Sequence, residues 1–201
     1  MVGWLDGLHG TTQPSSYLAN FSRVDIGGSM DNEILQGLEW EPDGGRLTFN
    51  QVRYLLIRPE TLVDFQKAAE AELGEQAGAL IYAGGFTGGS LSSRRYKEVF
   101  GYSDEEIVGF MCRMGGQIGW GHFELVELDP AAGRLVVQVQ DSPFAGAYGS
   151  AERGVCHFIR GVLAGLGAGI FNADVDAVES HCTARGDTSC LFTIQVRRNP
   201  L

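Results

Sequence analysis

Lysine is almost absent from this 201-residue chain: there are two, and the 15 basic residues face 25 acidic ones for a formal net charge of −10. That deficit argues against a self-sufficient nucleic-acid binder, because phosphate contacts need clustered cations. No apolar run approaches the roughly 20 residues that a membrane helix requires. The opening MVGWLDGLHGTTQPSS lacks a basic segment followed by an apolar one, so no signal peptide is expected and the sequon at Asn20 carries little weight. Cysteine is scarce as well, four in all with no Cys-x-x-Cys pair. A disulfide scaffold is therefore excluded, and in a reducing, cytoplasmic setting the thiols serve as ordinary side chains or metal ligands.

Glycine is abundant, 29 residues, in a chain that is 44% hydrophobic. This length makes one large domain or two small ones and buries a core without staples. Residues 1–37 read as an N-terminal arm whose Trp4, Tyr17 and Phe21 could contact a partner subunit. From 38 to 57 the pattern is strand, turn, strand, punctuated by Pro42, Asp43, Gly44 and Gly45. Pro59 opens a helix with Leu62, Phe65, Ala69 and Leu73 on one face and Gly74 as its stop. The small-residue stretch 84–89 lacks the Gly-Lys-Ser/Thr ending of a phosphate loop, and close helix packing explains it more simply.

Ser103 and Glu106 form a capping box ahead of Ile107, Phe110, Met111 and Met114. A hairpin spans 123–128 and 135–140. The strongest helical stripe runs from about 151 to 170 through Val155, Phe158, Ile159, Val162, Leu163, Leu166 and Ile170. Its four glycines cost about 1 kcal/mol each, so close approach of another element must offset them. A strand through 175–179, a turn at Arg185-Gly186-Asp187 and a last strand presenting Cys190, Phe192, Ile194 and Val196 close the chain. Strands and helices mix without a βαβ repeat, so the fold class is α+β, an antiparallel sheet with packed helices.

Three cysteines and a glutamate gather near this final helix and hairpin: Cys156, Glu179, Cys182 and Cys190. A hairpin brings Cys182 close to Cys190, and the start of the helix can cap them. Three thiolates and a carboxylate suit tetrahedral zinc. The same cysteines would equally serve as small buried hydrophobes. His157 and His181, each beside a candidate ligand, are alternatives to Glu179.

The stretch Gly154-Val-Cys156, with Gly161, Gly165, Val178-Glu179-Ser-His-Cys182-Thr-Ala-Arg-Gly186-Asp-Thr-Ser-Cys190-Leu-Phe192, resembles the 4-vinyl reductase domain family. That family includes bacteriochlorophyll-pathway vinyl reductase-like proteins and the sensory modules of phenol- and xylene-responsive bacterial activators. Residues 47–57 and the helix after Pro59 look like the N-terminal half of those sensors. The resemblance implies a ligand-binding domain over 38–201, with a sensor half at about 38–115 and a zinc-containing half at about 116–197. It implies a fold related to nitric-oxide-binding haem domains and to a vesicle-tethering complex subunit, and a homodimer. The zinc of the family's sensors would fall on Cys156, Glu179, Cys182 and Cys190, a closed structural shell. The histidine and tryptophan that anchor a phenol hydroxyl fall near Cys112 and Val139 here, and neither can do that job. The activators continue into further domains whereas this chain stops at Leu201, so signalling through a separate protein partner is expected.

A regulatory or carrier domain for a hydrophobic, aromatic or tetrapyrrole-like small molecule is the reading these features favour. Its pocket would draw Phe110, Met111, Trp120 and Phe123 from one side and Val137 and Val139 from the hairpin. Phe144, Tyr148, Phe158 and Val162 would complete it. The competing readings are a vinyl reductase-type enzyme or accessory protein of chlorophyll biosynthesis and a zinc-containing structural adaptor. The enzyme reading lacks support in the residues: Gly165, Gly167 and Gly169 lie inside a helix, outside the strand-turn-helix context of a dinucleotide site.

Overall fold

The computed structural model describes residues 31–197. The aromatic residues of the expected arm, Trp4, Tyr17 and Phe21, lie outside that range. A short helix, α1 (Glu33–Gln36), is capped by the Asn32 side chain, which accepts from the Leu35 amide. A small antiparallel sheet follows, β1 (Glu39–Glu41), β2 (Arg46–Phe49) and β3 (Val52–Tyr54). The turn after β1 is where the sequence puts it. The turn after β2 is an addition, made by Asn50 and Gln51 at φ 49° and 63°. Two consecutive positive φ values make the tight turn that matches strand twist, and Asn-Gln is a weaker signal for it than Asn-Gly. The strand expected through residue 57 therefore ends at Tyr54, and Leu55, Leu56 and Ile57 are exposed.

Helix α2 (Pro59–Leu73) begins at Pro59 and stops at Gly74, φ 59°, as its punctuation predicts. Its buried face does not follow the apolar stripe. Val63 and Gln66 are buried, whereas Phe65 is 68% and Leu73 45% exposed. The Gln66 amide decides this orientation, donating at 2.9 Å to Glu70 and at 3.1 Å to the Val155 carbonyl. A buried amide needs its partners more than one apolar side chain needs cover.

Helix α3 (Gln76–Phe100) runs for 25 residues, and α4 (Asp104–Gln117) opens on the capping box of Ser103 and Glu106. The main sheet comprises β4 (His122–Asp129), β5 (Arg134–Gln140), β6 (Val175–His181) and β7 (Cys190–Val196), in the order β4-β5-β7-β6 and antiparallel throughout. Between β5 and β6 the chain forms α5 (Pro143–Tyr148) and α6 (His157–Phe171). The core joins Leu135, Val137 and Val139 of β5 and Phe192 and Ile194 of β7 to Ile159, Leu163 and Leu166 of α6. This is the α+β architecture expected.

The helix glycines are explained by α3 crossing α6. A Cβ on Gly165 would stand 2.6 Å from the Ser90 amide nitrogen, and one on Gly85 3.0 Å from that of Val162. Gly89 and Gly161 are equally obstructed by backbone. Helix α6 begins at His157, not near residue 151, because Cys156 adopts a non-helical conformation (φ −82°, ψ 48°) that aims its amide at Glu179.

Candidate metal centre

The residues that precede α6, end β6 and open β7 converge at one point. One donor atom from each of Cys156, Glu179, Cys182 and Cys190 lies within 4.8 Å of all the others. The three cysteines are buried, with exposures of 1%, 0% and 0%. Cys190 Sγ is 3.8 Å from Cys156 Sγ and 4.0 Å from Cys182 Sγ. Four ligands about 2.3 Å from a tetrahedral ion would be separated by about 3.8 Å, so the sulfur spacing suits that geometry.

Local sequence explains why the donors meet. Gly154 leaves room for the Glu179 carboxylate, and the Cys156 amide donates to Glu179 Oε2 at 3.0 Å. After β6 the chain turns through Thr183–Arg185 to Gly186, at φ 91°. Asp187 then accepts from the Cys182 amide at 2.8 Å. The Thr183 amide donates to Cys190 Sγ at 3.4 Å, and Ser142 Oγ lies 3.5 Å from Cys156 Sγ. Sequence reasoning alone misses the supporting roles of Gly154, Ser142, Thr183 and Asp187. Asp187 and Gly154 are visible there only as neighbours of a turn and of a cysteine.

Electrostatics favour a cation at the centre. Glu179 Oε1 is buried with no hydrogen-bond partner, the orphaned acceptor a positive ion would satisfy. Burial and the neighbouring Cys182 push the Glu179 carboxyl up to about 8. The Cys190 thiol is lowered because Cys156 and Cys182 donate to its sulfur, with Thr183 adding to it. Cys156 is raised for the complementary reason, being held by Cys182 and Cys190. Three thiols and a carboxyl thus share anionic charge in a nearly dry pocket, and the residues present fit a metal ion.

Neither histidine belongs to this group. His157 faces away, with Nδ1 3.3 Å from Arg160 and Nε2 4.0 Å from Glu70, and burial lowers its pKa. His181 is exposed and pairs with Ser180 at 3.1 Å. Cys112 is buried apart in α4, its thiol pushed up to about 11 by burial, and acts as a small hydrophobe.

The family model of the 4-vinyl reductase domain matches residues 135–196, the stretch from β5 to the end of β7 that contains all four donors. This stretch is a 4-vinyl reductase domain. No curated protein matches the chain significantly. Among solved structures, the fold is similar to the phenol-responsive sensory domain of the transcription activator PoxR (TM-score 0.71, 20% identity, 81% of this chain and 86% of that one). It is also similar to a trafficking protein particle complex subunit 3 from Naegleria fowleri, covalently bound to palmitic acid (TM-score 0.51, 11% identity, 70% and 95%). An H-NOX protein from S. oneidensis matches at TM-score 0.46, 16% identity, 75% and 81%. No helix among the described residues is long and apolar enough to cross a membrane.

Three of the ten expected pocket residues form one aromatic group beside the domain's metal cluster. Trp120 meets Phe144 at 5.8 Å and Phe158 at 5.5 Å between ring centroids, and Phe144 meets Phe158 at 6.1 Å. Phe110 belongs instead to a second group with Tyr96 and Tyr102, and Phe123 covers Gly115. Val137 and Val139 are fully buried, and Met111 and Val162 are half-buried. Tyr148 turns its hydroxyl to Glu70, donating at 2.6 Å. An open cleft of about 500 Å³ lies next to Trp120, lined by Gly116, Gly119, Gly121, His122, Asp141 and Pro143. None of the ten is among those lining residues.

Proposed function

We propose that this chain is a zinc-stabilised, small-molecule-binding sensory or carrier domain for a hydrophobic, aromatic or tetrapyrrole-like ligand, acting through a separate partner. The observation that carries the reading is the contact between metal cluster and aromatic group. Cys156 Sγ touches Ser142, the residue that caps α5, and α5 carries Phe144 against Trp120 and Phe158. A structural zinc on Cys156, Glu179, Cys182 and Cys190 would tie α6 to the last hairpin and so fix the floor beneath those rings. The family match and a fold like that of a phenol-responsive sensory domain support a sensory role. The ligand differs from phenol in this reading, because Cys112 and Val139 occupy the expected anchor positions.

Mass spectrometry of the purified protein, native and then denatured, tests this. One zinc per chain with a co-purifying hydrophobic compound is expected. Zinc without any small molecule would favour a structural adaptor. Folded protein with no metal would remove the metal from the reading.

A further inference from the structure

Helix α3 carries two apolar faces, and the fold explains one. Gly85 and Gly89 are covered by α6, but Gly84 and Gly88 point the other way, where a Cβ on either would meet nothing within 4 Å. Around them the outward face is Leu80, Ala83, Thr87 and Leu91, all exposed, the two leucines at 61% and 57%. The only side-chain polar atom among these is Thr87 Oγ1, which is bonded at 3.2 Å to the Ala83 carbonyl of its own helix. No charged residue occurs from Gln76 to Ser93, in a chain whose net charge is −10. Water-facing helix surface is ordinarily charged, so three uncharged turns are a surface awaiting a partner.

The pattern is symmetric. Leu80 and Leu91 are equidistant from the midpoint between Gly85 and Phe86, as are Gly84 and Thr87, and Ala83 and Gly88. All six lie about a single line along the helix. The ends differ in charge. Arg94 and Arg95 mark the C-terminal end, bonded to the carbonyls of Ser90 and Asn50 at 3.3 Å, and among the described residues neither pairs with a carboxylate. Glu98 lies a turn beyond them. Glu72 and Glu75 mark the N-terminal end, Glu75 with 90% of its side chain exposed.

We propose that the outward face of α3 is a two-fold dimer interface, on which a second copy of this chain lays its own α3 antiparallel. A two-fold contact is self-complementary. Antiparallel α3 helices set Leu80 against Leu91 of the partner subunit at both ends of the crossing, with Gly84 and Gly88 admitting close backbone approach at the centre. The same register brings Arg94 and Arg95 to the partner's acidic end, and a parallel pairing would oppose like charges. The paired leucines then leave water, which offsets the helix propensity lost at the two glycines.

Analytical ultracentrifugation of the full chain over a hundredfold range of concentration tests this, with metal content and circular dichroism reporting the fold. The parent is expected to be a dimer. Leu80→Glu with Leu91→Glu should raise the dimer dissociation constant more than tenfold. Arg94→Glu with Arg95→Glu should raise it about tenfold, and adding Glu72→Arg with Glu75→Arg to that variant should restore it. A monomeric parent overturns the proposal, and so does a dimer indifferent to the leucine changes, which would lie on another face. Charge reversal without rescue overturns the antiparallel register.

Discussion

A Cβ on Gly154 would lie 2.5 Å from Glu179 Oε2 and 2.8 Å from its carboxyl carbon, and the same oxygen accepts the Cys156 amide at 3.0 Å. Glycine at 154 therefore sets the position of the carboxylate within the metal cluster. Gly154→Ala should push Glu179 out of reach and weaken metal binding by about 10–100-fold, the usual consequence of disturbing a ligand's support. Competition against a chelating dye reports it. Unchanged affinity would remove Glu179 from the ligand set.

Metal loading should release protons, and the count depends on Glu179. Its carboxyl is raised to about 8 by burial and Cys182, so at pH 7 it is mainly protonated before a metal enters. Coordination needs the carboxylate, so affinity rises with pH through this range and falls on acidification. Glu179→Gln has no such proton to lose. Its release at pH 7, read with an indicator in weakly buffered solution, should be smaller than the parent's by nearly one proton. Equal release in both proteins would assign that proton to the thiols.

The sequence makes the C-terminal half more legible than the N-terminal half. Cys156, Glu179, Cys182 and Cys190 are identifiable because hairpin topology forces near neighbours in sequence together, and the helix-breaking cost of Gly161 and Gly165 calls for the close crossing that α3 supplies. The buried face of α2 is not legible, because Phe65 and Leu73 outweigh Gln66 in any hydrophobic pattern. The structure instead buries Gln66, whose amide has partners on Glu70 and on Val155, a residue far along the chain. Long-range hydrogen bonds of that kind leave no periodic trace. The start of α6 is hidden for a related reason, since Cys156 leaves helical geometry to meet Glu179, a tertiary demand overriding a continuous apolar stripe.

The α3–α6 crossing offers a paired test of helix glycines. Gly165→Ala drives its Cβ into the Phe86–Ser90 backbone, 2.6 Å from the Ser90 nitrogen, and backbone cannot yield as a side chain would. Overpacking of this kind costs about 1–3 kcal/mol. Gly109→Ala in α4 meets only the Arg113 guanidinium at 3.5 Å and should gain up to about 1 kcal/mol of helix propensity. Chemical denaturation of both variants should move the midpoint in opposite directions. A neutral Gly165→Ala would mean that the two helices can separate without loss.

Tyr148 and Glu70 hold α5 against α2. The tyrosine hydroxyl donates to Glu70 Oε2 at 2.6 Å, Gln66 donates to the other carboxylate oxygen at 2.9 Å, and the Lys67 ammonium sits 4.8 Å above the Tyr148 ring. The bond to Glu70 raises the tyrosine pKa, as expected when the neutral phenol is the donor. A hydrogen bond to a charged group is worth about 1.5–3 kcal/mol, and partial solvent access at this site should reduce it to about 1–2 kcal/mol. A double-mutant cycle with Tyr148→Phe and Glu70→Ala should return a coupling of that size. Because α5 carries Phe144 against Trp120, each single variant should also shift Trp120 emission in a background lacking Trp4 and Trp40. Additive costs with unchanged emission would show that packing alone holds α5, and that the aromatic group keeps its shape without the tyrosine's tether.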